Sequence, residues 1–184
     1  MTEGGFTTTL LSHSEEATRA LGGALGRALE PGMVVLLKGD LGTGKTVLVR
    51  GVGEALEASG VRSPSFTLVN EYRTKGGLLL VHADLYRLDE NGAEGLGLED
   101  YLALDDAALL VEWPDRWASP PEDVLRVELK ALEERNEFIR RLTLRPGGPQ
   151  AEKAAGSVLT AVRAGDCPGV EQIETEGEDE GNGR

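Results

Sequence analysis

The residues best equipped for chemistry lie together at Gly39-Asp40-Leu41-Gly42-Thr43-Gly44-Lys45-Thr46, which fits the pattern G-x-x-x-x-G-K-[ST]. Glycines permit positive φ, so successive backbone N–H groups can curl around an anion. A helix following the loop would aim its N-terminal N–H groups and its dipole at the same phosphates. Lys45 would bring a charge to the β/γ oxygens, and the Thr46 hydroxyl would stand ready for magnesium. The composition of this chain yields roughly 0.01 accidental matches to the pattern, so nucleoside triphosphate binding is the expected chemistry. The base-reading motif N-K-x-D of GTPases is absent, which favours ATP over GTP. Two acids follow apolar runs, as a magnesium-associated acid at a strand end should: Asp84 after Leu78 to Ala83, and Glu112 after Ala107 to Val111. Asp84 and Glu112 join Lys45 as candidate catalytic residues, and with Thr46 they are the candidate metal ligands. His82 shares a strand face with Asp84 and reads equally well as its orienting partner or as a core histidine.

The elements that must position these groups are legible as alternating periods. Phe6 to Leu10 is strand-like. Ser14-Glu15-Glu16-Ala17 is an N-cap signal that opens a helix with Ala17, Leu21, Ala24, Leu25 and Ala28 on one face, ending before Pro31-Gly32. Met33 to Leu37 reads as a buried strand and Thr46 to Ala58 as an amphipathic helix. Strands are expected at Phe66 to Tyr72, Leu78 to Ala83, Ala108 to Val111, Val124 to Leu129 and Phe138 to Leu144. Continuous apolar strands amid helices argue for an α/β fold, here a P-loop NTPase-like three-layer sandwich with a mostly parallel central sheet.

Composition narrows the function classes. The chain has 184 residues and a formal net charge of −13, from 32 acids against 19 bases, which disfavours a protein that grips nucleic acid by its own surface. No run reaches the 18 apolar residues of a membrane helix, and no basic–apolar leader opens the chain, so a cytoplasmic protein is expected, with no membrane partner. One cysteine and two histidines leave little for a disulfide or a zinc centre. Arg145-Pro146-Gly147-Gly148-Pro149 marks a boundary. The expected organisation is a domain over residues 1–146, followed by an acidic, disordered tail over 147–184 with eight acids and three bases.

Four segments in order carry a family resemblance: the loop at Gly39 to Thr46, Ser63-Pro64-Ser65-Phe66-Thr67-Leu68-Val69-Asn70-Glu71-Tyr72, His82-Ala83-Asp84-Leu85-Tyr86-Arg87-Leu88, and Glu112-Trp113-Pro114-Asp115-Arg116. Over about residues 5–145 the chain resembles the TsaE (YjeE) family, small P-loop ATPases of tRNA threonylcarbamoyladenosine synthesis. The resemblance implies an ATP- and magnesium-dependent accessory of the TsaD and TsaB proteins, with tRNA contacted mainly through those partners. It implies that Leu41 to Thr46 bind the triphosphate, that Thr46 and Glu112 serve magnesium, and that Asp84 is needed for hydrolysis. It further implies a switch loop at Ser63, Pro64, Ser65, Phe66 and Thr67, a Trp113 packed near the nucleotide, a basic contact from Arg135, and base contacts around Glu15 to Thr18. Departures are small: the family usually has Thr where Ser65 stands and Phe where Ala83 stands.

Two other classes compete. A small kinase of a metabolite or nucleoside shares the strand–loop–helix start, but no R-x-x-x-R lid segment is evident. A switch that works only by binding needs no hydrolysis. ADP release without an added acceptor separates the ATPase from the kinase.

Overall fold

The computed structural model describes residues 6–64, 67–89, 92–134 and 137–176. The elements in chain order are β1 (Thr7–Ser12), α1 (Glu15–Ala28), β2 (Val34–Lys38), α2 (Lys45–Ala55), β3 (Val69–Arg73), β4 (Leu79–Asp84), α3 (Leu98–Leu102), β5 (Ala107–Glu112), β6 (Val124–Glu134), β7 (Glu137–Pro146), α4 (Pro149–Ala164) and β8 (Val170–Glu176). The strands form one sheet in the order β3-β4-β5-β2-β6-β7-β1-β8. Among the described residues, no helix is long and apolar enough to cross a membrane.

The four central strands β4, β5, β2 and β6 run parallel. Outside them every pairing is antiparallel: β3 on β4, then β7, β1 and β8 in turn. The expected mostly parallel sheet is therefore corrected to a mixed one. The reason is connection length: two residues separate β6 from β7, whereas a parallel crossover needs a dozen or more.

Strand alternation splits the core in two. Val35 and Leu37 of β2 pack with Leu80, Leu110 and the apolar faces of α1, α2 and α4, while Val34 and Leu36 pack with Leu98, Ala93 and Trp117 on the opposite side. That second layer is thin, and beyond it Arg126, Lys130, Arg141 and Arg145 leave the β6–β7 half of the sheet open to solvent. Helices α1 and α2 touch backbone to backbone. A Cβ on Gly22 would sit 2.1 Å from the Leu48 carbonyl oxygen, and one on Gly51 would sit 2.0 Å from that of Arg19.

The expected boundary at Pro146 is also corrected. Pro149 opens α4 at a helix start, where its missing N–H costs nothing. The Asp123 carboxylate accepts from the backbone N–H groups of Gln150 (2.9 Å) and Ala151 (3.0 Å), and Gly165 closes the helix at φ 85°. Ala151, Ala154, Ala155, Val158 and Leu159 follow helical spacing and are buried, and β8 pairs with β1 from Val170 opposite Ser12 to Glu176 opposite Thr7. Residues 147–176 thus belong to the domain. The rest of the expected tail, 177–184, lies outside the described residues.

Candidate functional site

The chain leaves β2 at Lys38, turns through Gly39 to Gly44 and enters α2 at Lys45. Gly44 has φ 101° and touches Arg140 closely: a Cβ there would lie 2.7 Å from the arginine Nε. Only glycine meets both demands. The Thr43 hydroxyl donates to the Asp40 carbonyl at 2.9 Å and tightens the turn. Leu41 projects from its tip, largely exposed. Inside the turn, Lys45 Nζ donates to the carbonyls of Gly39 (2.7 Å) and Asp40 (2.9 Å) and lies 4.5 Å from the centre of the Trp113 ring. Burial pulls the Lys45 pKa below its ordinary value, while Glu112, Asp84 and Asp40 oppose that shift.

Asp84 and Glu112 end neighbouring parallel strands and stand directly opposite one another. Both are buried, on the α2 side of the sheet. Asp84 Oδ1 accepts the backbone N–H of Tyr86 at 3.1 Å. Glu112 Oε1 accepts the Thr46 hydroxyl at 3.3 Å and lies 2.9 Å from His82 Nε2. Of the two readings of His82, it is neither a mere core residue nor the partner of Asp84: its polar contact is Glu112. Trp113 follows at φ 58°, a left-handed conformation rare for a bulky residue, and Tyr86 packs on it at 4.9 Å between ring centres.

A crevice of about 310 Å³ joins these groups: Gly42, Gly44, Lys45, Thr46, Asp84, Glu112 and Trp113 line it, together with Ser63, Glu15 and Arg140. The sequence-derived switch segment is only partly placed. Ser63 reaches the crevice; the backbone N–H of Thr67 donates to the Pro64 carbonyl at 3.0 Å, and the Thr67 hydroxyl to Asn70 Oδ1 at 2.7 Å. Ser65, Phe66 and Arg135 lie outside the described residues. A larger depression of about 450 Å³ on the open sheet face lacks this convergence, and its Glu128 already pairs with Lys130 and Arg145.

Arg140 is the site residue that sequence reasoning missed. It is buried on β7, its Nη1 lies 3.5 Å from the Thr18 hydroxyl at the start of α1, and its Nε has no hydrogen-bond partner. Thr18 is itself held by the Ser12 hydroxyl at 2.6 Å. The available signal was period two: Arg140 shares a strand face with the buried Leu142 and Leu144, where a charged side chain is seldom found without a polar role.

Fold and crevice together define a mixed α/β protein in which a glycine-rich loop, a buried lysine and two buried carboxylates meet at the ends of parallel strands. The family model for the threonylcarbamoyl adenosine biosynthesis protein TsaE matches residues 12–141. The chain is 40% identical over 126 residues to the tRNA threonylcarbamoyladenosine biosynthesis protein TsaE of Nostoc, covering 66% of this chain and 77% of that one. With the protein of the same description from Aquifex aeolicus the identity is 38% over 135 residues, 71% and 92% of the two chains. The crystal structure of Bacillus subtilis YdiB superposes with a TM-score of 0.67 at 26% identity, over 85% of this chain and 96% of that one. The chain belongs to the TsaE family.

Proposed function

We propose that the chain binds and hydrolyses ATP with magnesium as an accessory of tRNA N6-threonylcarbamoyladenosine formation, acting with the TsaD–TsaB pair. Family membership supports the tRNA-modification role, which the relatives from Nostoc and Aquifex aeolicus carry in their names. The observation that carries the ATP chemistry is the meeting of Thr46, Glu112 and Asp84 at the mouth of the glycine loop.

The donor set suits magnesium. It offers two carboxylates and a hydroxyl, all oxygen, and among the described residues no group of three His, Cys, Asp or Glu side chains could cage a metal alone. Magnesium takes one or two carboxylates and completes its shell with water and substrate phosphate. Thr46 and Glu112, with Asp84 directly or through water, would hold it there, and the ion would neutralise charge on the β/γ oxygens. Lys45 binds the same oxygens once its ammonium leaves the Gly39 and Asp40 carbonyls. Gly39 to Gly44 and the start of α2 supply backbone N–H groups, and Arg140 brings a second cation to the crevice.

Asp84→Ala and Glu112→Ala test this reading. Each should lower ATP turnover in the presence of TsaD and TsaB by about 10²-fold, the scale of losing one group that acts on transition-state charge, while nucleotide affinity by calorimetry changes little. ADP release should need no small-molecule acceptor. Wild-type turnover in both variants would remove the acids from the mechanism, and strict dependence on an acceptor would restore the kinase.

A further inference from the structure

The two site acids face each other across adjacent strands, an arrangement in which like charges repel. Each is drawn to a different donor. Asp84 takes the Tyr86 backbone N–H, and Glu112 leans back along the sheet to the residue two places before Asp84. That residue, His82, is fully buried on the sheet face it shares with Leu80 and Leu110, where an aliphatic side chain would pack as well. Its Nδ1 is buried without a hydrogen-bond partner among the described residues, so the polar contact that the ring makes there is the one to Glu112. A carboxylate oxygen only accepts, so the ring proton sits on Nε2 and donates to Glu112 Oε1.

We infer that His82 is a positioning residue for Glu112: it pins Oε1 from inside the sheet and leaves Oε2 to the crevice. The inference rests on the magnesium–ATP reading above. Thr46 shares Oε1 through a longer contact of 3.3 Å against 2.9 Å. A threonine hydroxyl that turns to a metal releases that contact, and His82 is then the donor that keeps the Glu112 carboxylate in one orientation and apart from Asp84. Groups that orient a metal-site ligand in this way typically change activity 10–100-fold when removed, without touching substrate.

The test has a spectroscopic and a kinetic arm. The chain holds two histidines, His13 and His82, so long-range ¹⁵N–¹H spectra of the labelled full chain are simple to assign. They should show the His82 proton on Nε2, with a shift that moves on Glu112→Gln and stays put on Asp84→Asn. A proton on Nδ1, or indifference to Glu112→Gln, overturns the inference. For kinetics, His82→Leu suits the apolar surroundings and His82→Gln keeps an N–H donor. His82→Leu should leave the melting temperature and magnesium–ATP affinity near wild type, lower kcat at least tenfold with KM unchanged, and be partly rescued by His82→Gln. Unchanged kcat, or parallel loss of stability and affinity without rescue, marks a packing residue and overturns it. Should the wild-type chain show no ATP turnover with any partner, the ATPase reading fails, and the spectra still decide whether His82 holds Glu112.

Discussion

Two cations reach the crevice from different elements and should fail differently when removed. Lys45 sits within the turn, desolvated and close to both acids, and Lys45→Ala should abolish measurable binding of magnesium ATP. Arg140 comes from β7, which lies on the opposite side of β2 from the acid-bearing strands β5 and β4. Its guanidinium approaches the loop at Gly44 and would serve the part of the nucleotide away from the magnesium end. Arg140→Ala should weaken ATP affinity by about tenfold, the value of one hydrogen bond from a charged group, while kcat at saturating ATP stays within about twofold. Calorimetry and saturation kinetics on the same variant check both halves, and a kcat loss without an affinity loss would place Arg140 on the reacting phosphate instead. The difference in legibility between these residues is physical. Lys45 is announced by its neighbours in the chain, because a phosphate loop is local. Period two marks Arg140 as buried, but its arrival at the crevice, like the contact of His82 with Glu112, depends on strand order, which no local spacing encodes.

Among the elements, α4 and β8 carry the largest revision. Truncation after Pro146 strips six buried side chains, five from α4 and Cys167, and leaves β1 as the edge strand of the sheet. Burial of Val158 and Leu159 alone is worth on the order of 5 kcal/mol, a large share of the roughly 5–15 kcal/mol that holds a typical domain. The truncated chain should melt far below the full chain or fail to stay soluble; equal melting temperatures would show that the helix docks without stabilising. The helical spacing of Ala151, Ala154, Val158 and Leu159 was present in the sequence, but small alanines and the surrounding acids masked it. The central strands and both leading helices were legible because their apolar periods are long and their ends are marked, as by the Ser14 cap, whose Oγ accepts from Ala17 N at 3.0 Å. A second element-scale prediction concerns pH. The Tyr101 hydroxyl donates to Glu71 at 2.5 Å and ties α3 to β3; that bond first, then burial and nearby acids, pushes the phenol up to about 12. A raised pKa means the tie is intact below pH 10 and is lost as pH rises through about 12. In an absorbance titration one of the three tyrosines should ionise late, and Tyr101→Phe should remove that step; three tyrosines titrating together would count against the tie.

At the scale of the whole molecule, charge and catalytic inventory point the same way. The chain carries −13 overall and −8 over residues 1–146, so at physiological ionic strength it repels a polyanion wherever the two approach within a Debye length of about 8 Å. Direct tRNA affinity should be weak, with tRNA held mainly by TsaD and TsaB. The crevice has cations for binding, Lys45 within the turn and Arg140 on the far flank, but at the end where Asp84 and Glu112 stand it shows none beyond Lys45 among the described residues. Ser63 also lines the crevice, and the expected switch segment that opens with it would be the element for a partner to arrange around a γ-phosphate. A partner surface that fixes this segment, or lends a cation, would complete the site only within the complex; a cation lent in trans is worth about 10³ to 10⁵ in rate elsewhere. ATP consumption would then be coupled to the modification cycle rather than running idle. The measurement is ADP release by the chain alone, with TsaD and TsaB, and with tRNA added as well. The first rate should be slow and the second at least about tenfold faster, well within reach of the roughly 10³ to 10⁵ that a cation in trans supplies elsewhere. Equal rates in all three mixtures would show that the crevice is complete by itself and that the chemistry is not gated by partners.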